Sequence, residues 1–143
     1  MPFGRKRLNW EETALRLAVN IAKYRSEDPY VIVGSAIITK DKRIFLGYNG
    51  APAGVEIDWS DRNARRDRVI HAEANVLTQV SQGDADFIAV TAMPCKECIK
   101  LIAQKKIKRV IYLEELAGYD NDLVKKLAKE FGIKLEKVTL NEN

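Results

Sequence analysis

The stretch His71–Leu113, HAEANVLTQVSQGDADFIAVTAMPCKECIKLIAQKKIKRVIYL, switches repeatedly between two periodicities, and those switches decide the fold. Ala72, Val76, Leu77 and Val80 recur at the spacing of one helix face, and Phe87–Ala92 is a short apolar run of strand length. Cys95–Lys105 returns to helical spacing, and Arg109–Leu113 is apolar and β-branched. Outward to the C-terminus, Asn121–Phe131 carries Leu123, Val124, Leu127 and Phe131 on one face, Gly132 is placed to cap that helix, and Ile133–Val138 alternates. Outward to the N-terminus, Tyr30–Thr39 is rich in Val and Ile and predicts a buried strand. Lys40-Asp41-Lys42 is a turn and Arg43–Tyr48 a returning strand, so these two runs predict a hairpin. Upstream, Asn9 and Glu12 have capping-box spacing, and Trp10, Ala14, Leu17, Ala18 and Ile21 predict an amphipathic helix over 10–25 that ends at SEDP.

A hairpin followed by alternating helices and strands implies an α/β chain, a three-layer α/β/α domain whose mixed sheet has about five strands. With no repeat, low-complexity tract or second composition regime, residues 1–143 are expected to form a single domain. The segment 49–69 holds Gly50, Pro52 and Gly54 and then a dense charge run without apolar periodicity, and is expected to be a long functional loop.

Composition narrows the function classes. No apolar run has signal-peptide or membrane-spanning length, so a cytoplasmic address and no membrane partner are expected. Two cysteines and one histidine are too few for a disulfide scaffold and enough for one metal site. The net charge of +4 and pI near 9.1 suit a phosphorylated ligand, but the aromatic-studded basic channel of a polynucleotide binder is missing, which argues against nucleic acid.

The chemistry sits in His71-Ala72-Glu73 and Pro94-Cys95-Lys96-Glu97-Cys98. Cys95 and Cys98, three apart on the first turn of a helix, can turn both thiolates toward one ion, and His71 from another helix start can supply a third donor. Three protein ligands leave the fourth position of a zinc ion open, the arrangement of a catalytic site in which a bound water becomes acidic enough to act near neutral pH. Glu73, two residues past His71, is the candidate general acid and base. A redox CxxC pair leaves the HAE triplet unexplained. A closed structural zinc would want a fourth ligand that no other Cys or His provides, and a silent zinc-stabilised interaction domain has no use for Glu73.

These residues match the known H-x-E…P-C-x-x-C signature of zinc nucleobase deaminases. The chain resembles the cytidine and deoxycytidylate deaminase superfamily, most closely its deoxycytidylate deaminases, including phage members. Besides HAEANVL and PCKEC, the resemblance runs through RSEDP with VGSAII, LGYNGAPAG, IAQKKIKRVIYLEE and GYDND. tRNA adenosine deaminases resemble it at the zinc motif, but usually carry Glu where this chain has Met93 and lack the GYNGxPxG loop. The resemblance implies a cytidine-deaminase-like fold and one Zn2+ per subunit on His71, Cys95 and Cys98, without the second structural zinc that many members hold. It further implies catalysis by Glu73, substrate contacts at Asn49 and Ala72, and hydrolysis of dCMP to dUMP and ammonia. Another cytosine nucleoside or nucleotide, or an RNA base, is the alternative substrate. Many members are homo-oligomers activated by dCTP, with Mg2+ on the triphosphate, and inhibited by dTTP. A hexamer is therefore expected, with Tyr48 and Gly50 of the GYNG element as effector-site candidates, in a host cytoplasm if the chain is a phage's.

Phosphate contacts are sought among basic and small polar residues. Arg62, Arg65, Arg66 and Arg68 precede His71 and offer guanidinium forks, interleaved with Asp58, Asp61 and Asp67 that can absorb part of that charge. Arg62 and Arg65 are also effector-site candidates, and Arg25 and Ser26 at the end of the first helix are candidates on the substrate side. Tyr119, in the loop after a strand expected to end beside the site, is a candidate to pack on the nucleotide.

Overall fold

The computed structural model describes residues 6–141. Its elements run α1 (Trp10–Arg25), β1 (Gly34–Thr39), β2 (Ile44–Tyr48), α2 (Arg62–Arg68), α3 (Ala72–Leu77), β3 (Ala85–Ala92), α4 (Lys96–Gln104), β4 (Arg109–Glu114), α5 (Asn121–Glu130) and β5 (Lys134–Lys137). The five strands form one sheet in the order β2-β1-β3-β4-β5. β1 is antiparallel to both β2 and β3, whereas β3, β4 and β5 run parallel because helices α4 and α5 carry the chain back between them. The expected mixed sheet with helices on both faces is therefore what the chain forms.

Side-chain alternation along the strands sorts the core into two layers. Ala36, Ile38, Phe87, Ala89 and Ile111 pack with Ala14, Leu15 and Ala18 of α1. Their neighbours in sequence, Ile37, Ile88, Val90 and Val110, pack on the other face with Val76 of α3, Ile99 and Ile102 of α4 and Val124 of α5. Small residues on α1 let it lie close to the sheet, and a Cβ on Gly34 would overlap the Ala18 carbonyl oxygen. Gly34→Ala is therefore expected to cost roughly 1–3 kcal/mol of stability, the range for overpacking a close-packed core, read as a lower urea midpoint with an unchanged m-value.

Local signals place most boundaries. The Asn9 side chain accepts from the Glu12 N–H, one half of the expected capping box, while Glu12 pairs with Arg16 at 3.0 Å. Gly132, at φ 72, lies just past α5 in the left-handed conformation that ends many helices.

Two expectations need correction. The strand expected from Tyr30 begins only at Gly34, because side chains claim the backbone upstream: Asp28 accepts from the N–H groups of Tyr30 and Val31, and Asn49 takes the Val33 N–H. The segment 49–69 is not all loop, since Arg62–Arg68 is helical, capped by Asp61, whose side chain accepts from Asn63 N and Ala64 N. That helix buries none of its residues, so it left no apolar periodicity to read.

The register pairs Gly34 with Tyr48, Ser35 with Val90, and Ala92 with Glu114. The start of β1 and the ends of β2, β3 and β4 thus share one edge of the sheet, the carboxyl end of its parallel strands, where α/β sheets form their crevices. Among the described residues no helix is long and apolar enough to cross a membrane.

Candidate active site

His71 and Cys95 are the N-cap residues of α3 and α4, both with extended backbone, and Cys98 is in the first turn of α4. Their side chains stand free of capping because neither His71 nor Cys95 bonds its own helix start. Instead they converge: His71 Nδ1 lies 3.5 Å from Cys95 Sγ and 3.4 Å from Cys98 Sγ, and all three donor atoms fall within 4.8 Å of one another. Tetrahedral zinc with ordinary Zn–S and Zn–N bonds separates a sulfur from a nitrogen by about 3.5 Å, so the donors stand where such an ion needs them. The borderline-soft N and S set also suits zinc, and among the described residues the cluster holds three donors rather than four.

The electrostatics fit a cation. Cys95 is held down to about 4, first by its hydrogen bond with Cys98 and then by His71, while the same contact and burial push the Cys98 thiol far up. One negative charge is shared between two sulfurs, a state that a divalent ion would relieve by taking both as thiolates. The His71 imidazole is raised, chiefly by its hydrogen bond with Cys95. Glu73, 4% exposed, has its carboxyl pushed up to about 7 by burial, and it contacts Cys98.

His71, Glu73 and Cys95 open onto a cavity of about 730 Å³, while Cys98 is buried behind them. Ala72, Met93 and Asn49 line it near the cluster, the β4–α5 loop contributes Leu116 to Tyr119, and Asp28, Tyr30 and three arginines of α2 complete its rim. Tyr119 is 47% exposed, and its phenol is raised by partial burial and then by Cys95 and Glu73, so it stands within electrostatic reach of the cluster.

Several sequence candidates take other positions. Asn49 lines the cavity, but its side chain is largely spent on the fold: Oδ1 accepts from Ser26 Oγ and Val33 N, and Nδ2 donates to Val31 O at 2.6 Å. Ser26 thereby holds Asn49 from outside the cavity, and Arg25 is exposed at the end of α1, also outside it. Tyr48 and Gly50 lie outside it too. The Tyr48 carbonyl accepts from Asn75 Nδ2, and Gly50 exchanges two backbone hydrogen bonds with Ile70, the residue before His71. Arg62, Arg65 and Arg66 line the cavity and Arg68 does not.

Sequence reading passed over Glu27, Asp28 and Tyr30. Glu27 Oε1 accepts from Ala51 N and packs on Gly50, fastening the loop that carries Asn49. Asp28 and Tyr30 meet Arg65, and the signal that could have found them is an Asp one residue before Pro29, ready to fold its side chain back on the next N–H groups.

Residues 8–114 match the family described as the cytidine and deoxycytidylate deaminase zinc-binding region. Deoxycytidylate deaminase of Mus musculus is 34% identical over 119 residues, which cover 76% of this chain and 66% of that protein. Deoxycytidylate deaminase of Mycobacterium phage D29 is 36% identical over 128 residues, covering 76% of this chain and 98% of the phage protein. The chain spans less of the probable deoxycytidylate deaminase of Caenorhabditis elegans, 55% of its length. Among solved structures, the dCMP deaminase of cyanophage S-TIM5 in complex with dCMP and dUMP superposes with TM-score 0.75 at 26% identity, covering 94% of this chain and all of that one.

Proposed function

Because the chain belongs to the family of the cytidine and deoxycytidylate deaminase zinc-binding region, we propose that it works as a single zinc-dependent deaminase domain, converting dCMP to dUMP with release of ammonia. The observation that carries this reading is a buried acid, Glu73, beside a three-donor N/S cluster that opens onto a nucleotide-sized cavity. The substrate is drawn from the mouse and phage relatives and from the cyanophage enzyme holding dCMP and dUMP.

Zinc on His71, Cys95 and Cys98 would supply a Lewis acid that makes water nucleophilic near neutral pH. Glu73 moves the protons. Its carboxylate takes a proton from the attacking water and delivers it to the ring nitrogen beside the amino-bearing carbon, then takes the second proton from the newly attached hydroxyl and passes it to the departing amine. Burial favours this double duty, because it pushes the carboxyl up from the ordinary carboxylate range and so makes it a better proton acceptor as well as a donor. One new C–O bond replaces the C–N bond, so water and cytosine give uracil and ammonia. The unspent Nδ2 hydrogen of Asn49 and the N–H of Ala72, which has no intrahelical acceptor at the first position of α3, are assigned to sugar and base. Tyr119 is assigned to pack on the nucleotide.

Ammonia release from dCMP, deoxycytidine, CMP and dCTP in parallel tests the reading, with selective turnover of dCMP expected. Selective turnover of deoxycytidine would replace it with a nucleoside deaminase, and no turnover by zinc-loaded protein would overturn it. Regulation belongs to the same proposal and draws support from the resemblance around Tyr48 and Gly50: dCTP with Mg2+ is expected to raise turnover and dTTP to lower it, in a cytoplasmic homo-oligomer, a hexamer by light scattering. A flat response to both would remove regulation.

A further inference from the structure

The three cavity arginines are not alike. Arg62 and Arg66 are exposed, whereas the Arg65 side chain is 20% exposed and its Nε is buried with no hydrogen-bond partner among the described residues. Its guanidinium carbon sits 4.3 Å from the centre of the Tyr30 ring, which props the plane in place. The nearest anion is Asp28, yet Nη1 stops 3.9 Å from Oδ1, beyond hydrogen-bonding distance. Asp28 cannot close that gap freely, because the same Oδ1 already accepts from Tyr30 N at 2.8 Å and Val31 N at 3.2 Å. A guanidinium oriented by an aromatic face, half-neutralised and with an unspent buried donor is costly unless something else accepts from it.

The cavity supplies the direction of that something. Arg65 and Glu73 line the same space, and the Tyr119 phenol feels Arg66 as well as Cys95 and Glu73, so the basic rim and the donor cluster face one cavity. A ligand with a reactive base at the cluster and an anionic group at the rim would satisfy both ends. A phosphate oxygen pair matches the planar fork of Arg, and Lys offers no such match.

We propose that Arg65 is the residue that reads the 5′-phosphate of a nucleoside monophosphate and so separates nucleotide from nucleoside, an assignment that rests on the reading of this cavity as the deaminase site. Arg25 and Ser26 are outside the cavity.

The test compares dCMP with deoxycytidine, both as kcat/KM and as calorimetric affinity, in wild type and in R65Q, R65K and R68Q. Wild type is expected to prefer dCMP, and R65Q to shrink that preference about 10- to 100-fold in both readouts, the loss typical of a charge-assisted hydrogen-bonding pair. R65K keeps the charge without the fork and is expected to retain an intermediate preference, which carries the test if R65Q folds poorly. R68Q, on the same helix but off the cavity, is expected to keep the wild-type preference. The assignment is overturned by a wild type without preference, by R65Q and R65K that keep it, or by R68Q losing as much. If wild type binds dCMP selectively without deaminating it and R65Q loses that selectivity, the phosphate assignment holds and the deaminase reading falls. If wild type deaminates dCMP while R65Q slows both substrates equally, the reverse is true.

Discussion

Glu73→Gln is expected to leave the metal site loaded and to cut ammonia release by about 10²- to 10⁴-fold, the range supplied by a general acid and base. The expectation follows from where Glu73 stands. It is buried beside the three donors and is not one of them, so an isosteric amide keeps the packing and leaves His71, Cys95 and Cys98 untouched. What the amide lacks is a transferable proton near neutral pH, the property that burial tunes in Glu73 by raising its carboxyl to about 7. Zinc content by elemental analysis and kcat on the same preparation check it. Full activity with full zinc would remove Glu73 from the proton-transfer role.

Cys98→Ala is expected to fail at the earlier step. Cys98 is 2% exposed and stands 3.4 Å from His71 Nδ1, so removing its sulfur reduces a three-donor cluster to two. Metal affinity should fall by more than the roughly 10- to 100-fold that loss of a mere supporting partner costs. Turnover should fall to background with it. The readout that separates this from simple misfolding is thermal: added zinc is expected to raise the Tm of the wild type and not of Cys98→Ala, because only a protein that binds the ion gains from mass action. A chelator should bring the wild type down to its own metal-free Tm. An equal response to zinc in both proteins would show that Cys98 is not a ligand.

Where sequence reading succeeded, a local rule and the tertiary structure agreed. Asn9 caps α1 at the expected residue, the apolar alternation of Ile37 and Ile38 sorts onto two faces, and the spacing of Cys95 and Cys98 brings both sulfurs to His71. Where it failed, side chains distant in sequence had taken over backbone or charge. Val31 and Val33 are as strand-prone as any residue in β1, but Asn49, 16 residues away from Val33, holds them out of the ladder. Arg25 and Ser26, candidates from their place at the end of the first helix, lie outside the cavity, where the Ser26 hydroxyl bonds Asn49. Arg65 was one of four arginines offered for a phosphate, and its seat on Tyr30 beside Asp28 is what sets it apart from Arg62 and Arg66. Short α2 was invisible for a plainer reason, since a helix that buries no apolar side chain writes no apolar period.

In sequence, the candidate ligands His71 and Cys95 flank β3, a strand with β1 on one side in the sheet and β4 on the other. Because β3 links the two helix starts and lies inside the sheet, the three donors are brought together by the assembled fold and not by neighbouring sequence. An ion held there would favour the assembled sheet over the open chain, whose three donors are scattered along the sequence.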